Sequence, residues 1–230
     1  MIASTPIIIP ALQAGATIGD VVARARNFSA RVVVIDDGSS DNTGEQASQA
    51  GAEVLRHPEN RGKGRALMTG FRHLFAEGHD QIVTLDADGQ HLPEEIPKLL
   101  AGIRSGADLV IGSRALQFAG MHGVRLWSNT ISSAVISAVA GEVIEDVQSG
   151  FRLYTRRLIL ATGFSEARFE AESAVVVRAV RRGFRIALVP IRLGFVDGCR
   201  TSHYRPVVDS LRIALAVTRA RFDTLGALPT

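Results

Sequence analysis

The chain has 230 residues, 46% hydrophobic and 21% charged, an ordinary globular composition with length enough for one large α/β domain. Net charge is +3, and of 26 basic residues only Lys63 and Lys98 are lysines, so phosphate-gripping arginine forks dominate. A lone Cys199 excludes an internal disulfide, no stretch reaches the roughly 18 apolar residues of a membrane span, and no signal-peptide pattern opens the chain. The expectation is a cytoplasmic chain, attached to a membrane at most by its surface.

Pro6 to Pro10 reads as a first strand, and Ile18, Val21, Val22 and Ala25 then share one face of a helix. Arg31 to Ile35 predicts a second strand that breaks into Asp36, Asp37, Gly38, Ser39, Ser40 and Asp41. Gly38 permits a tight turn, and Ser40 or Asp41 can cap a helix running to about Ala50. Ala52 to Leu55 predicts a third strand. Gly62 and Gly64 bracket Lys63 at the start of a helix towards Gly78, which can set an ammonium and backbone N–H groups on an anion. A flexible turn before a capped helix fits the same residues, and the spacing excludes a Walker loop.

Gln81 to Leu85 predicts a fourth strand that ends abruptly in Asp86, Ala87 and Asp88. Strand ends are where open α/β sheets hold ligands. Carboxylates one residue apart, with Gln90 as a further oxygen donor, suit a hard divalent cation that keeps positions for substrate phosphates. A solvated acidic turn closed by Gly89 is the plain alternative. Pro93 opens a helix at about Glu94 with Ile96, Leu99, Leu100 and Ile103 on one face, and Ala107 to Ile111 predicts a fifth strand closed by Gly112, Ser113 and Arg114. The βαβαβαβαβ series predicts an α/β fold with a doubly wound, mostly parallel sheet and helices on both faces.

The second half is less regular. Phe118 to His122 reads as a loop, and Val124 to Val139 as a helix carrying Arg125, Trp127, Ser128 and Asn129, packed in the core or against a membrane. Thr155 to Thr162 and Phe169 to Arg182 read as helices; Glu170 and Glu172 in the second do no more, by position, than complement its dipole. Ile186 to Val189 and Ile191 to Phe195 are strand-like, and Pro206 to about Phe222 predicts an amphipathic helix with Arg212, Arg219 and Arg221. No repeat or linker divides the chain, so one domain over residues 1–230 is expected. Basic residues are interspersed with acids and no aromatic run accompanies them, which makes a nucleic-acid surface the least favoured reading.

Several motifs stand in series: IIIPAL, VVVIDDGSSDNT, NRGKGRAL, TLDADGQHLPE, IGSR, DVQSGFRLYTRR, FEAES with RRGFRIALVPI, and SHYRPVVDSLRI. In this order, from Ile7 to about Leu215, the chain resembles the inverting family 2 glycosyltransferases of GT-A fold, and among them the dolichyl- and polyprenyl-phosphate sugar transferases.

The resemblance implies a nucleotide-binding half over about residues 1–115 and an acceptor half over about 116–230. Pro10, Leu12, Asp36, Asp37, Lys63, Asp86, Ala87 and Asp88 would bind a nucleotide diphosphate sugar of GDP-mannose or UDP-glucose type. Asp86, Asp88 and Gln90 would hold Mg²⁺ or Mn²⁺ on the diphosphate, with Asp88 and Asp146 as the catalytic carboxylates. Arg114, Arg125, Ser128, Ser149, Arg200 and His203 would hold the phosphate of a polyprenyl acceptor at a membrane face. Asp146 would serve as base if the acceptor were instead a soluble hydroxyl compound, and a non-catalytic nucleotide-sugar binder is the third reading. Leu12, Gln13, Ala14 and Gly15 replace the family's usual Asn and acidic residues after the first strand, which leaves the base unspecified.

Overall fold

The computed structural model describes residues 5–114, 149–194 and 206–222. The expected loop at 118–122 and helix at 124–139 lie outside them, as do Arg125, Ser128, Asp146, Arg200 and His203.

The first half follows the predicted series with boundaries displaced by one or two residues. Its elements are β1 (Ile7–Ala11), α1 (Ile18–Ala25), β2 (Val32–Asp36), α2 (Thr43–Gln49), β3 (Glu53–Arg56), α3 (Lys63–Ala76), β4 (Gln81–Thr84), α4 (Ile96–Arg104) and β5 (Leu109–Ser113). A single 3₁₀ turn, Pro93–Glu95, leads into α4. There follow β6 (Arg152–Thr155), α5 (Arg156–Thr162), α6 (Glu170–Arg181), β7 (Ile186–Pro190) and α7 (Pro206–Phe222). Asp41 does act at the start of α2, accepting from Thr43 N at 3.1 Å one residue ahead of the formal cap.

These strands form one seven-stranded sheet in the order β3-β2-β1-β4-β6-β5-β7. Every pairing is parallel except those of β6, which runs antiparallel between β4 and β5. The sheet is thus mostly parallel, as expected, but β6 departs from the predicted elements. RLYT is short, opens with arginine and lacks an alternating pattern, so periodicity does not mark it as a strand; the gap between β4 and β5 does. The segment after β7 also departs from expectation: its one described pairing is a single bridge from Leu193 to His91.

Near-continuous apolar strands require cover on both faces. Ile8, Val33 and Ile35 pack with Phe71, Tyr154, Leu158, Phe164, Val175 and Val217 on one side. Ile7, Ile9, Val32 and Val34 pack with Val22, Leu99 and Leu153 on the other. Each fully buried aliphatic side chain contributes about 1.5–3 kcal/mol. Phe71 anchors the first layer, edge-on to Tyr154 at 5.3 Å and to Phe164 at 5.4 Å between ring centres. Helix α3 lies so close to β1 that a Cβ at Gly70 would come 2.7 Å from Ile8 Cδ1. That close seating holds α3 against β1, and Lys63 is the first residue of the helix.

Candidate active site at the carboxyl edge of the sheet

Strands β1, β2 and β4 are parallel neighbours, so the polar residues that follow them emerge along one edge. After β1, Gln13 adopts a left-handed φ of 52°. Its N–H donates to Ser39 Oγ at 3.0 Å, Ala14 N to Thr43 Oγ1 at 2.8 Å and Gly15 N to Asp41 Oδ2 at 3.0 Å. A Cβ at Gly15 would fall 2.1 Å from Asn42 Oδ1. The stretch that departs from the family pattern is therefore tied to the loop after β2, while Pro10 and Leu12 stay half-buried beside it.

Asp36 is fully buried and accepts from Ser39 N at 2.9 Å, closing the turn at Gly38. Asp37 accepts from His57 Nδ1 at 2.6 Å, Arg61 N at 3.0 Å and Gly62 N at 2.7 Å. Both Asp37 oxygens are thus engaged by the protein. They brace the loop that delivers Lys63.

The Lys63 ammonium stands between two carboxylates, 2.7 Å from Asp86 Oδ1 and 2.9 Å from Glu172 Oε2. Burial alone would lower the Lys63 pKa, but Asp86 and then Glu172 outweigh it and raise it. Burial alone would raise the Asp86 carboxyl, but Lys63 and then His91 outweigh it and hold it at about 2. Asp88 goes the other way, pushed up to about 6 by burial and then by the negative charge of Asp86. The Arg114 charge acts on both carboxylates, which places it within electrostatic reach of them.

The turn that carries this acid pair is held from several sides. Asp88 Oδ1 accepts from Gln90 N at 3.0 Å, Gln90 O accepts from Gly194 N at 2.8 Å, and Thr17 Oγ1 donates to Ala87 O at 2.7 Å. The described contacts of Gln90, expected as a metal donor, run through its main chain. His91 is buried, stacks on Phe151 at 5.6 Å, and sets Nδ1 3.4 Å from Asp86 Oδ2. At the entry to β6, Gly150 O accepts from Thr84 Oγ1 at 2.9 Å. Ser149 is fully buried; its carbonyl accepts from Arg152 Nε at 2.7 Å and its Oγ has no hydrogen-bond partner among the described residues.

The structure therefore gathers Asp36, Asp37, Lys63, Asp86, Ala87, Asp88, Gln90 and Ser149 along one edge. Glu172, His91 and Gly150 complete the site, and sequence reasoning does not single them out. His91 has a signal, since it lies in the TLDADGQHLPE motif with the acid pair. Glu172 has its place in the FEAES motif and in a helical first turn, neither of which points to the acid pair.

A hard cation fits the donor set. The oxygens are carboxylate, Asp88 is pushed up by burial and by its acidic neighbour, and Glu172 Oε1 is buried without a hydrogen-bond partner among the described residues. A second group of ligand-type side chains, Glu53, His73 and Glu77, lies apart from this site with donor atoms within 4.8 Å of one another. The Arg31 guanidinium pairs with both glutamates there, so the charge of that cluster is already partly offset.

Fold and acid pair together define the GT-A class of glycosyltransferase. The glucosyl-3-phosphoglycerate synthase of Mycobacterium tuberculosis in complex with phosphoglyceric acid superposes with a TM-score of 0.75 at 22% identity, covering 96% of this chain and 81% of that one. Its complex with Mn²⁺, UDP and phosphoglyceric acid gives a TM-score of 0.74 at 21% identity, covering 95% and 78%.

The chain belongs to glycosyl transferase family 2, whose family model matches residues 7–161. It is 34% identical to the undecaprenyl-phosphate mannosyltransferase of Micrococcus luteus over 70% of each chain. It is 30% identical to the polyprenol monophosphomannose synthase of Mycolicibacterium smegmatis, over 81% of this chain and 76% of that one.

Proposed function

We propose that this chain transfers a hexose, with inversion, from a nucleotide diphosphate sugar to the phosphate of a polyprenyl lipid. The observation that carries the reading is the Asp86 and Asp88 pair past the end of β4, beside Lys63 and within reach of the Arg114 charge. Pro10, Leu12 and the loop after β2 would face the nucleoside. Asp86 and Asp88 would hold Mg²⁺ or Mn²⁺. Bound there, the ion neutralises charge that builds on a departing diphosphate, an effect whose loss costs about 3–4 kcal/mol.

A phosphate monoester has its second pKa near about 6, so at neutral pH it is already ionised. Its oxygen can attack the anomeric carbon as the bond to the diphosphate breaks, with no proton to remove. The protein must then position anions, which suits Arg114, Arg125 and Arg200, rather than supply a base. Among the described residues no helix is long and apolar enough to cross a membrane. Peripheral contact at a cytosolic membrane face is supported by α7, where exposed Leu215 and Phe222 stand among exposed Arg212, Arg219 and Arg221.

A second reading keeps the donor but takes a soluble hydroxyl acceptor, with Asp146 as base. The superposition on a synthase complexed with phosphoglyceric acid favours considering it. The deciding experiment has two stages. Thermal shifts with GDP, UDP and their sugars, with and without Mn²⁺, identify the donor; a ligand at 100 times its dissociation constant stabilises by about 2.7 kcal/mol. Radiolabelled donor is then offered with undecaprenyl phosphate in detergent or with 3-phosphoglycerate. Label extracted into the lipid phase supports the first reading, and label on the soluble acceptor alone overturns it for the second.

A further inference from the structure

Lys63 and Glu172 are buried charges to which the proposed chemistry gives no separate task. The Glu172 side chain is 4% exposed, one of its oxygens meets the Lys63 ammonium at 2.9 Å, and the other has no hydrogen-bond partner among the described residues. An idle oxygen on a buried carboxylate is costly, so its retention calls for a use. The residue is held firmly in place. Arg152, itself fully buried, donates to the Glu172 carbonyl at 2.8 Å and to the Ser149 carbonyl at 2.7 Å, joining α6 to the segment over the acid pair. Gly150 closes that segment, with room for no Cβ, which would stand 2.6 Å from Lys63 Nζ. Among the described residues the ion-pair partners of Lys63 are Asp86 and Glu172.

We propose that Lys63 is a built-in counter-cation for Asp86, and that Glu172 is the positioning residue that receives its ammonium when a divalent ion binds. The inference rests on the reading of Asp86 and Asp88 as cation ligands. A divalent ion and an ammonium compete for the same Asp86 oxygens, since like charges repel strongly where water is scarce. With Glu172 present, the ammonium has a second anionic seat already in contact and a free oxygen beside it. A small rotation relieves the conflict and leaves the positive charge near the incoming phosphates. Without Glu172, Asp86 is the one carboxylate left to Lys63 among the described residues, and the ion must displace the ammonium outright.

The test follows Mn²⁺ binding to the full chain by the electron paramagnetic resonance of free Mn²⁺, with thermal unfolding as a separate check of the fold. Glu172→Gln is expected to weaken Mn²⁺ binding about tenfold, and Glu172→Asp, which keeps the charge but shortens the reach, about threefold. The double variant Lys63→Met/Glu172→Gln removes both members of the buried pair and is expected to return to within about threefold of the wild type, because the competitor is gone. Wild-type affinity in Glu172→Gln, or a double variant as weak as that single one, overturns the inference. Thermal unfolding separates a purely structural Glu172, for which Mn²⁺ affinity would follow stability through all the variants. The underlying reading is checked by Asp88→Ala: Mn²⁺ binding that survives it takes down both. Binding lost in Asp88→Ala but unmoved in the Glu172 variants takes down the inference alone.

Discussion

Gly150 lies against the carboxylate of Asp86 so closely that a Cβ there would come 2.5 Å from Oδ2 and 2.6 Å from Oδ1. The backbone of one strand entry thus forms a wall of the acid site on another. Gly150→Ala is expected to lower stability by only about 1–3 kcal/mol, the usual cost of overpacking, because the colliding atoms are side-chain ends. Displacing Asp86 and Lys63 together should cost far more in function. Urea unfolding and Mn²⁺-dependent nucleotide binding, measured on the same variant, would show a near-native midpoint with binding reduced about tenfold or more.

Asp88→Asn removes a charge that the metal-free fold tolerates poorly. Its carboxyl stands at about 6 against an ordinary 3.8, raised by burial and by Asp86. The fold therefore holds this proton more tightly than the unfolded chain does. The corresponding stability is present below about pH 4 and is lost as pH rises to about 6. In chelator, wild type should lose stability over that window relative to Asp88→Asn, as read from unfolding temperatures. Turnover in the variant should fall by about 10²–10³.

Cation binding should follow the same group in the opposite sense. Protonating Asp88 removes a ligand charge, so Mn²⁺ affinity is expected to decline as pH falls through about 6, while Asp86, held at about 2, stays ionised throughout. Titrating Mn²⁺ at about pH 5, 6 and 7 would check this, and a flat profile would count against Asp88 as a ligand.

Asp37→Asn should act through the fold. The amide can accept through one oxygen only, leaving an N–H of Arg61 or Gly62 facing an NH₂ group. A loss of about 1–3 kcal/mol is expected, with weaker nucleotide binding as Lys63 loses its seat. Unchanged unfolding would show that the loop stands without this brace.

Arg152→Met tests the join between β6 and α6. Two carbonyls, of Ser149 and Glu172, would lose their donor. The expected cost is about 2–4 kcal/mol in unfolding, with Mn²⁺ affinity falling as Glu172 shifts.

Much of the first half is legible in the sequence. Apolar strands such as VVVI end abruptly in acid, and a parallel series of that kind must present its strand ends along one edge. Hence Asp36, Asp37, Asp86 and Asp88 can be placed together. Which of them are free cannot be read there, because Asp36 and Asp37 owe their partners to Ser39, His57 and the Arg61–Gly62 turn. β6 escapes a periodicity reading because antiparallel insertion depends on the gap it fills.

The amino-acid order alone determined the strand-and-helix series, the acid-ended strands and the class of ligand they suit, since side-chain periodicity and turn chemistry are local properties. Only the tertiary structure decided that Lys63 faces Asp86 and Glu172 rather than solvent, and that Gly150 closes over them. Those residues are far apart along the chain and meet because β6 lies between β4 and β5 while α6 packs over α3. Long-range charge pairing of that kind is set by packing geometry, which no short window of sequence contains.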